Sequence, residues 1–156
     1  MAKSYASAVI EAPAEQVWQV VRDFDGLPRW HPAITASEIE DGAAADTVGC
    51  VRHLTLADGG VVREQLVSLD DADRSYTYDI VESPFPVRSY RATIRVRPIT
   101  DTGHSFVEWY AHYDADAADE DQLDRTFATD VYRTGLTALR NHLRNPNTGV
   151  WGVGDA

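Results

Sequence analysis

Alternating apolar and polar residues through the middle of the chain predict a series of β-strands. In the segment RSYRATIRVR, Tyr90, Ala92 and Ile94 fall on one side of an extended chain, whereas arginines dominate the other side. Successive side chains of a strand point to opposite faces of a sheet, so the apolar set marks a buried face. Together with turn-forming strings such as ADGG and DDAD, this pattern predicts strands near residues 4–11, 34–40, 48–56, 61–69, 74–82, 88–97 and 104–114.

Helical spacing of apolar residues occurs at two places. The string APAEQVWQVVRDF at 12–24 predicts a short helix whose apolar side contains Val17, Trp18 and Val21. A long helix is predicted from about Asp119 to Arg144. Its apolar stripe consists of Leu123, Phe127, Val131, Leu139 and Leu143, with Tyr132 and Leu136 beside it. A meander of strands followed by one long helix is typical of an α+β fold with its helices on one side of the sheet.

Length, charge and cysteine content narrow the classes of protein that this chain can represent. The 156 residues, 44% of them hydrophobic, are expected to form a single domain over residues 1–144. A tail follows over 145–156, and its Trp151 could dock on the domain. A net charge of −11 opposes binding to nucleic acid or to anionic lipid surfaces. No apolar run approaches the roughly 20 residues of a membrane span, and the N-terminal residues do not read as a signal peptide. With one cysteine, Cys50, these features predict a cytoplasmic protein without stable membrane insertion.

For two of the predicted strands, the sequence pattern does not decide which residues point inward. In VVREQLVSL, the even-numbered set is Val62, Glu64 and Leu66. In HSFVEWYAHY, the even-numbered Phe106, Glu108, Tyr110 and His112 oppose Val107, Trp109, Ala111 and Tyr113. If the even-numbered sets point inward, the interior receives Arg52, Glu64, Glu108 and His112 among several tyrosines. Ordinary cores exclude unpaired charge because its desolvation is costly, so this parity would indicate a cavity that holds water or a ligand.

Several strings, in their order along the chain, carry a resemblance to a known family. They are IEAPAEQVWQVVRDFDGLPRWHPAI, REQLVSLDDADRSYTYDIVES, FPVRSYRATIRV and FATDVYRTGLTALRNHL. Together they resemble the START-like or birch-pollen-allergen-like superfamily (SRPBCC), within it the bacterial polyketide cyclase/dehydrase and lipid-transport group. The resemblance implies a helix-grip fold, in which a curved antiparallel sheet of about seven strands surrounds a long C-terminal helix, with two short helices after strand one. It also implies an internal cavity for a small hydrophobic or amphipathic molecule.

The strings RWHPAI, GCVRHLTL, REQL, VRSY and VEWY are similar to the plant hormone-receptor branch of this superfamily. That similarity implies a cavity lined by His31, Leu54, Leu56, Glu64, Tyr78, Val87, Tyr90, Glu108, Phe127, Val131 and Gly135. It favours the even-numbered parity in both undecided strands. The receptors carry a longer gating loop where this chain has ADGG, and FPVR lacks their latch sequence. A role in hormone sensing is therefore not implied.

Glu64 and Glu108 are the candidate catalytic residues. If both project into an apolar cavity, burial and mutual repulsion should raise the pKa of at least one carboxyl group, unless a cation such as Arg52 pairs with them. Three roles are open for the pair: a structural ion pair at the cavity wall, contact with a ligand, or general-base catalysis. Arg52 is accordingly included among the candidate ligand-binding residues.

Other residues of interest also have structural and functional interpretations. His31, in the corner FDGLPRWHP, could pack at the rim of the cavity, contact the ligand or act in catalysis. Tyr76, Tyr78, Tyr90 and Tyr110 could form aromatic walls of a cavity or ordinary core. Gly135 interrupts a good helix, either to leave room for a ligand or to permit close contact between helix and sheet.

The leading functional prediction is a cofactor-free protein that binds or transports a small hydrophobic or amphipathic ligand. The alternative from another class is a polyketide cyclase or aromatase in which a Glu, Tyr or His transfers protons. A third is a small protein-interaction module with little or no cavity. No metal site is predicted, because no HExxH or comparable spacing links the five histidines. The sequence leaves the ligand and the oligomeric state open.

Overall fold

Residues 1–144 are described by a computed structural model, and within them seven strands form one antiparallel sheet. The strands are β1 (Ala2–Ile10), β2 (Ile34–Ile39), β3 (Val51–Leu56), β4 (Val61–Asp70), β5 (Ser75–Glu82), β6 (Val87–Pro98) and β7 (Ser105–Ala115). Their order across the sheet is β1-β7-β6-β5-β4-β3-β2. Irregular pairing between β2 and β3, β4 and β5, and β6 and β7 introduces bulges, which bend a sheet. The predicted docking of Trp151 lies outside the described residues.

The helices follow the predicted order. Helix α1 (Ala14–Val21) and a 3-10 turn (Leu27–Arg29) are the two short helices after the first strand, and a second 3-10 turn follows β2 (Glu40–Gly42). The C-terminal helix has three consecutive parts: α2 (Ala117–Asp124), a π-helical segment (Arg125–Arg133) and α3 (Thr134–Arg144). The α+β helix-grip fold is thus confirmed. No helix among the described residues is long and apolar enough to cross a membrane.

The inner face of the sheet carries the even-numbered residues of β3 to β6. Tyr90, Ala92 and Ile94 of β6 are buried, as their alternation predicted. In β4, the strand that sequence left open, Val62 and Glu64 are also buried. The even-numbered parity therefore holds for β4.

The even-numbered parity is wrong for β7. Trp109 is 1% exposed, whereas His112 is exposed on the other face. The pairing between β6 and β7 explains this, because Ile94 lies opposite Trp109 and residues directly opposite each other share a face. An even-numbered buried face in β6 therefore requires an odd-numbered buried face in β7.

The buried residues of the C-terminal helix are spaced differently in the middle of the helix. Phe127 and Tyr132, five positions apart, are both buried, whereas Val131 is half-buried. In a π-helix the hydrogen bonds run between residues five apart, so the wider turn moves the next buried position from 131 to 132. The prediction of buried positions is correct for Leu123 and Phe127, whereas Val131, also predicted to be buried, is only half-buried.

Gly135 allows close contact between this helix and its neighbours. A Cβ atom at this position would lie 2.6 Å from Cδ2 of His31 and 2.9 Å from Cζ3 of Trp109. The structure therefore favours the close-contact interpretation of this glycine over room for a ligand.

We expect Gly135→Ala to destabilise the fold by about 1–3 kcal/mol, because the added methyl group overpacks the contact with His31 and Trp109. Helix propensity alone would predict the opposite sign, a stabilisation of roughly 1 kcal/mol. Urea unfolding measures the difference. Thr137→Ala, at an exposed position of the same helix, is the matched control and should change stability little. A more stable Gly135→Ala variant would contradict the packing argument.

Candidate ligand-binding cavity

An apolar cavity lies between the inner face of the sheet and the π-helical segment. Its volume is about 50 Å³. It is lined by Leu27, His31, Ile34, Arg52, Leu54, Leu56, Val62, Glu64, Tyr78, Ile80, Phe85, Tyr90, Trp109, Phe127 and Val131. A buried water needs about 10–15 Å³ of such space, so the cavity accommodates a few waters or a small chemical group.

Most of the residues predicted to line a cavity meet at this one. They are His31, Arg52, Leu54, Leu56, Glu64, Tyr78, Tyr90, Phe127 and Val131. Val87 is half-buried at the start of β6, and Gly135 contacts His31 and Trp109; neither belongs to the lining.

Glu108 projects from the opposite face of the sheet, so its predicted position in the cavity is wrong. Its carboxylate accepts a hydrogen bond of 2.8 Å from the Tyr5 hydroxyl of the neighbouring strand. Tyr110 lies on the same outer face and stacks on Tyr5 with ring centres 6.1 Å apart. The predicted glutamate pair therefore does not form, since the odd-numbered residues of β7 face inward.

Sequence reasoning missed Trp109, Phe85 and four aliphatic lining residues, Leu27, Ile34, Val62 and Ile80. The sequence did contain a signal that Trp109 points inward. From Val107 to Ala115 the odd-numbered residues of β7 are apolar or aromatic, whereas the even-numbered set contains Glu108 and His112. Hydrophobic parity alone therefore favours Trp109 as the inward residue.

The charged centre of the cavity wall is an ion pair between Arg52 of β3 and Glu64 of β4. The two residues are directly opposite in the sheet. Nε of Arg52 donates to Oε1 of Glu64 at 2.9 Å, and Nη2 lies 2.8 Å from the same oxygen. The Arg52 side chain is fully buried, and that of Glu64 is 9% exposed. Sequence reasoning therefore named the correct partner for Glu64.

Other groups complete the surroundings of the guanidinium. Nη1 of Arg52 donates to the Phe24 carbonyl oxygen at 2.9 Å and to the Tyr76 hydroxyl at 3.2 Å. The guanidinium carbon lies 4.0 Å from the centre of the Phe24 ring and 4.8 Å from that of Tyr78. These rings favour a cation through their π-systems. An arginine that would be unfavourable alone in a core is stabilised by several partners at once.

For each of the two ionisable groups, burial and ion pairing shift the pKa in opposite directions. Burial raises the pKa of Glu64, and the charge and hydrogen bond of Arg52 oppose that increase without cancelling it. Burial lowers the pKa of Arg52, but the neighbouring Tyr76 and Glu64 outweigh this effect and leave it above its usual value. Arginine is effectively always protonated in proteins, so a full positive charge lies 2.8 Å from Oε1 of Glu64 and favours the ionised form of that carboxyl group.

The tyrosine hydroxyls at the cavity wall form hydrogen bonds with neighbouring aromatic side chains. Nε1 of Trp109 donates to the Tyr78 hydroxyl at 3.0 Å, and the hydroxyls of Tyr90 and Tyr132 are hydrogen-bonded to each other. Burial raises the pKa of Tyr78, Tyr90 and Tyr132 well above the usual value for tyrosine. These hydroxyls therefore stay protonated at neutral pH and do not serve as bases.

His31 joins the corner after α1 to the C-terminal helix. Its Nε2 donates to the carbonyl oxygen of Val131 at 2.7 Å, and its Nδ1 accepts the backbone N–H of Ala33 at 3.1 Å. This pattern assigns the neutral tautomer with its proton on Nε2. Burial lowers the pKa of His31; the Val131 hydrogen bond opposes the shift, and the charge of Arg52 adds to it. Since both ring nitrogens are engaged, this arrangement favours a structural role over catalysis.

Comparison with known proteins identifies the family. The profile of the family described as "Polyketide cyclase / dehydrase and lipid transport" matches residues 1–144. The chain belongs to this family. It is also 26% identical over 99 residues to the abscisic acid receptor PYL7 of Arabidopsis thaliana, an alignment that covers 62% of the chain but only 46% of the receptor.

Solved structures show the same fold in other proteins of this kind. The protein XoxI of Bacillus cereus is 34% identical, with a TM-score of 0.83 over 94% of this chain and 99% of that one. The major latex-like protein 151 of Panax ginseng, 19% identical, has a TM-score of 0.72 over 90% of this chain and 96% of its own. The ginseng protein supports the fold alone.

We expect the contribution of His31 to the stability of this polyketide cyclase/dehydrase and lipid-transport family member to depend on pH. Below the ordinary pKa of about 6.5, the unfolded chain binds more protons at His31 than the folded chain does, because burial lowers the pKa of the ring in the folded state. The free energy of unfolding should therefore fall as the pH drops below about 6.5. His31→Gln lacks this proton uptake, so the advantage of the parent protein over the variant should shrink between pH 7.5 and pH 5.

Urea unfolding at the two pH values measures this difference. His112→Gln, at an exposed position of β7, is the matched control. An advantage over His31→Gln that is the same at both pH values would show that His31 is not held neutral.

The ion pair also gives a prediction about stability. Arg52→Met should destabilise the fold by about 3–5 kcal/mol, because it leaves Glu64 buried without its partner. The double variant Arg52→Met with Glu64→Leu should recover most of this loss, because it removes both charges. Chemical unfolding of the three proteins tests this. If the double variant is as unstable as Arg52→Met, an unpaired charge is not the cause.

Proposed function

We propose that this protein binds a small hydrophobic or amphipathic molecule between the sheet and the C-terminal helix. The observation that carries the proposal is a buried ion pair, Arg52 with Glu64, in the wall of an otherwise apolar cavity. Ligand sites in proteins commonly combine an apolar lining with a few convergent polar groups. The apolar lining would supply most of the affinity through burial of the ligand, and the ion pair would orient it.

The volume of the cavity sets a condition on this binding. About 50 Å³ is far below the roughly 300–1,000 Å³ of typical ligand sites, so a molecule of more than a few heavy atoms must displace side chains. Phe85, half-buried between β5 and β6, packs edge-on against Phe127 with ring centres 5.2 Å apart. Leu56 and Ile80 of the lining are half-buried as well. The ligand would enter past these residues, with Phe85 moving outward.

The comparisons support this function at the level of the family. The name of one relative, an abscisic acid receptor, is that of a protein that recognises a small organic molecule. The family description itself includes both lipid transport and enzymes. A cytoplasmic location stays a prediction from the single cysteine and the composition.

A second candidate function, proton transfer during cyclisation of a polyketide, rests on Glu64. Its carboxylate lines the cavity, and burial raises its pKa, as general bases require. Of the two glutamates considered, Glu64 alone lines the cavity, since Glu108 lies on the outer face. Loss of turnover of a linear polyketide analogue in a folded Glu64→Gln variant would select this function; unchanged turnover would exclude Glu64 from the mechanism.

We expect naphthalene, an uncharged apolar probe, to bind to the cavity and to be displaced by a larger side chain at its wall. Val131→Phe should weaken binding at least tenfold, because the added ring occupies the space beside Phe127. Titration followed by tryptophan fluorescence and by NMR measures the affinity. Val81→Phe, at an exposed position of β5, is the matched control and should bind as the parent does. Equal affinity in both variants would place the probe outside the cavity.

A further inference from the structure

Two atoms of the buried ion pair retain capacity for hydrogen bonds. Oε1 of Glu64 receives both contacts from Arg52, and no group in the described part of the chain donates to Oε2. Nη2 of Arg52 is buried and lies 2.8 Å from Oε1 of Glu64, but its N–H groups are not aligned for a hydrogen bond to that oxygen or to any other acceptor within residues 1–144. The ion pair in the cavity wall therefore offers one acceptor oxygen and one donor nitrogen, and the unsatisfied buried donor is unfavourable.

The other polar side chains of the lining are already engaged. The Tyr78 hydroxyl accepts from Trp109, and the Tyr90 hydroxyl is paired with Tyr132. Both nitrogens of His31 are hydrogen-bonded to the backbone. Among the charged groups of the lining, the unused capacity thus lies on Arg52 and Glu64; the Tyr78 hydroxyl, which accepts from Trp109, still carries its own donor.

The charges of the lining are balanced. Arg52 contributes one positive charge and Glu64 one negative charge, and the remaining lining residues are aliphatic, aromatic or the neutral His31. A carboxylate or an ammonium group entering this cavity would lose its hydration without gaining an unneutralised counter-charge. Desolvation therefore disfavours an ionised ligand.

We propose that the ligand is an uncharged alcohol or phenol with an apolar body, whose hydroxyl binds to the Arg52–Glu64 pair. A hydroxyl both donates and accepts, so it donates to Oε2 of Glu64 and accepts from Nη2 of Arg52 as the cavity expands around it. The rest of the molecule lies against the apolar lining near Leu54 and Phe127. This inference rests on the proposed function, because it specifies the ligand of the same cavity.

The test compares four probes that share one ring system: naphthalene, 2-naphthol, 2-naphthoate and 2-naphthylmethylammonium. Isothermal titration calorimetry with the full chain at pH 7 measures their affinities. We expect 2-naphthol to bind at least tenfold more tightly than naphthalene, since a hydrogen bond to a charged group is worth about that factor or more. The two ionised probes should bind more weakly than naphthalene.

Two variants connect this selectivity to the ion pair. Glu64→Gln removes the negative charge and leaves that of Arg52, so the preference should shift by at least tenfold towards 2-naphthoate. The double variant Arg52→Met with Glu64→Leu should lose the preference for 2-naphthol over naphthalene. If Glu64→Gln does not fold, the double variant decides. Val81→Phe again controls for changes outside the cavity.

The possible outcomes separate the two proposals. If none of the four probes binds, the proposed function fails, and the inference falls with it. If naphthalene binds but 2-naphthol binds no more tightly, or an ionised probe binds best, the ligand class is wrong while the proposed function stands. A 2-naphthol preference that persists in the double variant would assign the hydroxyl to another site and overturn the role of the ion pair.

Discussion

The buried guanidinium of Arg52 is the interaction on which the arrangement of the inner face depends. It joins three neighbouring strands and the end of the first helical region, through Glu64, Tyr76 and the Phe24 carbonyl. A charge in an apolar interior is tolerated only when its partners assemble around it. The position of the corner after α1 is therefore coupled to the register of the sheet.

That corner also determines how the C-terminal helix lies on the sheet. His31 hydrogen-bonds to the Val131 carbonyl, and the absence of a side chain at Gly135 lets the imidazole ring approach the helix. The π-helical segment places both Phe127 and Tyr132 inside and leaves Val131 at the cavity. His31, which the sequence offered as a candidate for catalysis, thus links the corner after α1 to the C-terminal helix.

The combination of a small cavity with one balanced ion pair limits what this member of the family can do. The apolar lining favours hydrophobic molecules, whereas the pair offers orientation without net charge. Proton-transfer chemistry would rely on Glu64 alone, since Glu108 is outside and His31 is engaged. The same contacts that stabilise the interior therefore define the chemistry available to a ligand.

The sequence by itself determined the α+β class and the parity of β6, because period-two alternation is readable along a single strand. The helix-grip fold was implied by the family resemblance, and Arg52 was named as the candidate partner of Glu64 because ordinary cores exclude unpaired charge. For β7 the greater apolarity of the odd-numbered set was outweighed by the family resemblance, which favoured the even-numbered set; the pairing of Ile94 with Trp109 shows that the odd-numbered set faces inward. Helical spacing could not distinguish Val131 from Tyr132, because an α-helical period places position 131 inward whereas the wider π-helical turn places position 132 there. Cavity volume was likewise decided by tertiary packing, since it depends on how side chains from distant strands fill the same space.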